Sequence, residues 1–149
     1  MQKENKSLSF CGAFFGGIVG AIPTVLCYIY FGVVWIVLPV IIPFLTKSFY
    51  HKFTGENKKR SYIYVISIPI VVLIISFFLV IPFYFLSSNG YSLNMKSIEF
   101  ILGYEGIGNT IISNFTGSLI LTVVVSLLYV QFLKRKNTKR INVKLKTKK

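Results

Sequence analysis

Three long stretches without a charged residue, 7–46, 61–95 and 106–133, constrain this chain more than any other feature. A soluble domain interrupts its apolar runs, because about a quarter of its residues are charged. Here 14% are charged and 54% hydrophobic, and mean hydropathy is +0.67. A chain this rich in Ile, Val, Leu and Phe does not stay disordered. Two cysteines are too few for a disulfide scaffold. What remains is a protein that crosses a membrane several times, since a bilayer core of about 30 Å takes about 20 apolar residues per helix.

The stretch 106–133 holds one such span, 111–133. The stretch 61–95 holds another, 62–86, before turning polar at Ser87, Ser88, Asn89 and Gly90. The first stretch is too long for one, because residues 8–46 would make a helix of roughly 58 Å. It divides into spans 10–28 and 29–45, with a tight turn around Tyr30, Phe31 and Gly32. Charge supports the division, because basic loops stay cytoplasmic. With two crossings in the first stretch, 16 of the 17 Lys and Arg fall on one side. Lys96, Glu99 and Glu105 fall on the other. The sequence thus predicts an all-α, polytopic transmembrane four-helix bundle with both termini cytoplasmic. One membrane domain covers 1–133 and a basic cytoplasmic tail covers 134–149. A re-entrant first hairpin is the rival. A cleaved signal peptide is rejected, because apolar sequence resumes at Ile29 without a small-residue cleavage site.

Two rows of small or polar residues mark how the spans would pack. Gly12, Gly16 and Gly20 recur every fourth residue, with Ala13, Gly17 and Ala21 one position on. Small residues at this spacing let helix backbones approach closely in lipid. The row serves either intramolecular packing or a homo-oligomeric seam. Asn114, Ser118, Thr122 and Ser126 make a second row whose side chains can hydrogen-bond across helices, at roughly 0.6–2 kcal/mol each. The simplest arrangement packs the first and fourth spans small face to small face; the functional alternative is a mildly polar pore lining. All five prolines, Pro23, Pro39, Pro43, Pro69 and Pro82, fall inside spans and predict kinks. The second span, with two of them, is the one expected to break near its inner half.

Little in the sequence points to chemistry. No Asp, Glu, Lys, Arg or His lies inside a predicted span, which argues against proton-coupled transport. Cys11, Cys27 and His51 lack metal-ligand spacing, so neither a metal nor a cofactor is expected. Glu99 and Glu105 have no nucleophile nearby in the outer loop. Residues 96–102 read as a short interfacial helix with Ile98, Phe100, Ile101 and Leu102 toward lipid. The tail carries nine basic residues in 16, including Lys134, Arg135, Lys136, Lys139 and Arg140. Such a cluster attracts anionic lipid headgroups at about 1 kcal/mol per residue. It lacks the aromatic residues that stack nucleic-acid bases, so nucleic acid is not the expected partner.

The segments GAFFGGIVGAIPTVLCYIYFG, IIPF and FYHKFTGENKKR resemble a group of small, uncharacterised multi-pass membrane proteins of low-GC Gram-positive bacteria. The matching positions are Gly12, Gly16, Gly20, Ala21, Ile22, Pro23, Tyr50, Lys52, Phe53 and Gly55. Phe49 and Glu56 depart from the pattern, where Gly and Lys are usual. The resemblance covers about a third of the chain. It implies a four-helix unit in the bacterial plasma membrane and no particular activity. The expected function is a non-catalytic accessory, regulatory or immunity-type subunit acting through helix–helix contacts, with a membrane protein partner or a second copy of the chain. A small channel or facilitator built on the Gly row is the alternative.

Overall fold

The computed structural model describes residues 6–35, 37–54 and 60–146, with side chains for 7–35, 37–54, 61–104 and 106–135. The described chain is helical and contains no strand. Helix α1 covers Lys6–Phe31 and α2 covers Val37–Thr54. Helix α3, Arg60–Ile75, passes through a π-helical turn, Ser76–Val80, into α4, Ile81–Ser88. A short α5, Met95–Gly103, precedes a long α6, Glu105–Lys146. Three helices are long and apolar enough to cross a membrane: Ser7–Phe31, Ser61–Ser88 and Gly106–Arg135.

The first hairpin turns where a helix-ending glycine permits. Gly32 adopts φ +69°, and its N–H closes back on the Tyr28 carbonyl at 2.8 Å, a left-handed cap on α1. The second helix lies later than the apolar pattern suggests. It begins at Val37 rather than at residue 29, and it runs to Thr54, through residues assigned to the basic loop. Packing explains the shift. Ile42, Thr46, Lys47 and Tyr50 recur at helical spacing and are all buried, so the core-facing stripe crosses the boundary that hydropathy draws.

Proline acts differently from expectation. Helix α2 is continuous through Pro43 and does not break. The irregularity lies one helix on. Pro82 has no N–H to give the Phe78 carbonyl, and just before it the ladder slips by one residue, with the Ile81 N–H donating to the Ser76 carbonyl. At the other end, α6 carries the basic tail as helix through Lys146, consistent with its Lys, Arg and Leu content.

Helix directions alternate. Gly12 meets Phe53, Gly16 meets Leu45 and Phe49, and Gly20 meets Ile42, so α1 and α2 are antiparallel. Phe10 contacts Tyr64, while Tyr28 contacts Phe77 and Phe85, so α1 and the α3–α4 helix run parallel. Helices α2 and α6 also run parallel: Val34 bonds Asn114, Pro39 bonds Thr122, and the Phe44 ring packs tilted against Tyr129 with centroids 4.4 Å apart. Both α2 and α3 touch α1, α6 and each other, which leaves α1 and α6 on opposite sides. The expected direct packing of the first and last spans is therefore replaced by α2, whose backbone fills the Gly row.

The burial pattern is inverted relative to a water-soluble protein. Thr24, Thr46, Ser61, Ser76, Ser118, Thr122 and Ser126 are buried, while Phe15, Ile22, Ile120, Leu128 and Phe132 are exposed. Exposed apolar surface on this scale fits lipid as the surrounding solvent. Helix α5 departs from the sequence reading in one respect. Ile98 and Ile101 face inward and are buried, and Phe100, 70% exposed, points away. Asn94 caps this helix by accepting from the Ser97 N–H at 2.8 Å.

Candidate functional site

The polar groups converge on α2. The Val34 N–H, in the turn before α2, donates to Asn114 Oδ1 at 3.1 Å, while Asn114 Nδ2 donates to the Thr110 carbonyl at 2.9 Å. Two turns further along α6, Thr122 Oγ1 donates to the Pro39 carbonyl at 3.4 Å. That carbonyl is the one Pro43 orphans, because proline lacks the N–H that would serve the residue four before it. An unserved carbonyl in a dry interior is costly. The hydroxyl of a neighbouring helix serves it here, which is how membrane helices tolerate internal proline. Pro39 itself lies in the first turn of α2, where a missing N–H costs nothing. Ser118 and Ser126 are buried in the same seam, and the Ser126 hydroxyl has no partner. A cavity of about 460 Å³ opens along the half of this seam nearer Gly32, between Val34, Pro39, Asn114 and Gly117.

The Gly and Ala row of α1 is occupied. A methyl group built on Gly16 would lie 2.5 Å from the Leu45 carbonyl oxygen, and one on Gly20 would lie 2.9 Å from Ile42 Cα. At Gly12 the obstacle is the Phe53 side chain, and at Gly17 it is Ile68 of α3. Ala13 and Ala21 are buried. Gly117 of α6, by contrast, has no atom within 4 Å of such a methyl group.

Sequence reasoning missed Lys47. Its side chain is 5% exposed, its Nζ donates to Ser61 Oγ at 2.8 Å, and it lies 5.4 Å from the Tyr50 ring centroid. Ser61 is itself fully buried in the first turn of α3. The ammonium thus latches the entry of α3 onto α2, with the ring face as a second partner. The signal was available: 39, 43, 46, 47 and 50 share one face of a helix, and that face is the apolar one.

Other predicted positions are dispersed. Pro23 is exposed on α1, and Pro69 is buried in α3. Lys134 Nζ lies 6.0 Å from the Tyr62 ring centroid at the base of α3, and Arg135 is exposed. Lys136, Lys139 and Arg140 lie outside the described side chains. Cys27 Sγ donates to the Val33 carbonyl at 3.3 Å, and Cys11 and His51 are exposed. Among the described residues no group of His, Cys, Asp and Glu could hold a metal ion. What the arrangement does chemically is join helices: hydroxyls, one amide and one ammonium tie α2 to α6 and α3. No family model, curated protein or solved structure matches this chain.

Proposed function

We propose that the chain is a non-catalytic integral membrane protein of four alternating crossings, with both termini on the cytoplasmic side of a bacterial plasma membrane. It acts through helix–helix contacts with a membrane protein partner, as an accessory, regulatory or immunity-type subunit. One observation carries the membrane reading: the helices share a slab of bilayer thickness. From Gly12, level with Phe53, to the turn at Gly32 is about 30 Å of helix. From Asn114, level with that turn, to Lys134, level with Tyr62, is again about 30 Å. Both match the hydrocarbon core. The basic residues Lys52 and Lys134 lie at the same end of the slab, which the positive-inside rule places in the cytoplasm.

The contact reading rests on how the interior is used. Gly16 and Gly20 are filled by the backbone of α2, so they offer no free seam for a second copy. The hydroxyl row of α6 is turned onto α2, where Thr122 serves a freed carbonyl. The purified chain in sealed liposomes is expected to give no flux of ions or small neutral solutes above empty vesicles. Flux that Asn114→Leu or Thr122→Val alters would replace this reading with the small channel or facilitator.

A further inference from the structure

A cavity of about 580 Å³ lies under α5, at the end of the molecule away from Lys134. Its floor is apolar: Phe85 and Leu86 at the end of α4, Ile101 of α5 and Ile107 of α6. Its rim carries Tyr91, Tyr104 and one cation, Lys96. The volume falls in the range of about 300–1,000 Å³ that holds one small molecule. The walls are fixed. Asn94 Oδ1 accepts from the Ser97 N–H at 2.8 Å and from Ser97 Oγ at 3.0 Å, and Asn94 Nδ2 donates to Ser92 Oγ at 2.9 Å. Ile98 is buried beneath α5, and the Gly108 backbone sits against the Leu102 carbonyl, closing the corner between α5 and α6.

Charge and depth select the occupant. Lys96 is the only Lys or Arg between Arg60 and Lys134. Among the described residues no carboxylate pairs with it. Glu99, one turn on along α5, makes no ion pair with Lys96 among the described residues, which leaves the ammonium to a monoanion. The apolar floor excludes a fully hydrated one, because burying that floor against apolar atoms is what stabilises binding. The cavity opens where a candidate membrane span ends, at Ser88, so a ligand with an apolar chain reaches it from the adjoining leaflet. We propose that this cavity binds a single-chain amphiphile with a carboxylate head, of the fatty-acid class. Lys96 takes the head, and Phe85, Ile101 and Ile107 take the chain.

The test uses the full chain in nanodiscs of zwitterionic lipid, with a long-chain fatty acid bearing a diazirine as the probe and labelled residues mapped by mass spectrometry. Labelling is expected to saturate, to concentrate on Tyr91 and on residues 100–107, and to fall when unlabelled fatty acid competes. Lys96→Glu should raise the half-saturating concentration about tenfold or more, the worth of one charge-assisted hydrogen bond, and Lys96→Arg should preserve it. Ile107→Trp, which fills the cavity, should remove the labelling while the protein stays monodisperse. Labelling that does not saturate, that spreads over the lipid-facing residues, that a fatty-alcohol probe reproduces, or that Lys96→Glu leaves unchanged overturns the proposal. In that case Tyr91 and Tyr104 are interfacial anchors and the cavity holds bulk lipid.

Discussion

Thr122 and Pro43 show how a single backbone atom decides the role of a side chain. The Thr122 hydroxyl matters because Pro43 leaves the Pro39 carbonyl without a helical donor. The dependence can be isolated by a double-mutant cycle. Thr122→Val keeps the shape and removes the donor, and should cost about 0.6–1.7 kcal/mol, read as unfolding free energy in micelles. In a Pro43→Ala background the main-chain N–H restored at that position serves the Pro39 carbonyl, so the same Thr122→Val change should cost close to nothing. Equal costs in both backgrounds would show that Thr122 contributes by packing alone. Lys47 illustrates the same dependence on surroundings. Counted as a charge it belongs to a loop; placed on a helix face with Pro39, Pro43 and Tyr50 it is an interior cation held by Ser61.

At the scale of helices, the α1–α2 hairpin is the most extensive contact among the described residues, and Gly16 lets its two backbones approach. Gly16→Ala drives a methyl group to 2.5 Å from the Leu45 carbonyl oxygen, against main chain that cannot rotate away. It should destabilise by about 1–3 kcal/mol, the range for overpacking. Gly117→Ala is the matched control. Its methyl group meets open space, so it should be neutral or stabilise by up to about 1 kcal/mol through helix propensity. Thermal denaturation in one detergent compares the two, and similar shifts would remove the close-packing account of the Gly row. Hydropathy made the apolar helices legible, because lipid demands about 20 apolar residues whichever neighbour a helix takes. Partner choice was not legible. A Gly row accepts any smooth helix, and here the neighbour joined by a short turn fills it. The end of α2 was also hidden, because charge was counted along the chain rather than around the helix. The π turn before Pro82 had no sequence signal beyond the proline itself.

For the whole molecule, α2 decides the topology. Its apolar run, residues 37–45, is only about 14 Å of helix, half a bilayer core, and it is not among the helices that hydropathy alone marks as spans. A full crossing would require α1 to run beside it and Lys47 to direct its charge at Ser61 and Tyr50 rather than at lipid. If it crosses fully, the turn at residues 32–35 reaches water on the side of Asn89. If the hairpin is re-entrant, that turn stops inside the membrane. Single cysteines in a background lacking Cys11 and Cys27 separate these cases, using a membrane-impermeant maleimide on intact cells. Val33→Cys and Asn89→Cys should both react from outside, since both positions are exposed at one end of the slab. His51→Cys, exposed at the other end, should react only after permeabilisation. Val33→Cys silent from both sides would mean a re-entrant hairpin and three crossings. His51→Cys reactive from outside with Asn89→Cys shielded would mean the opposite orientation. The positive-inside rule disfavours that outcome, because 16 of the 17 basic residues would then lie on the wrong face.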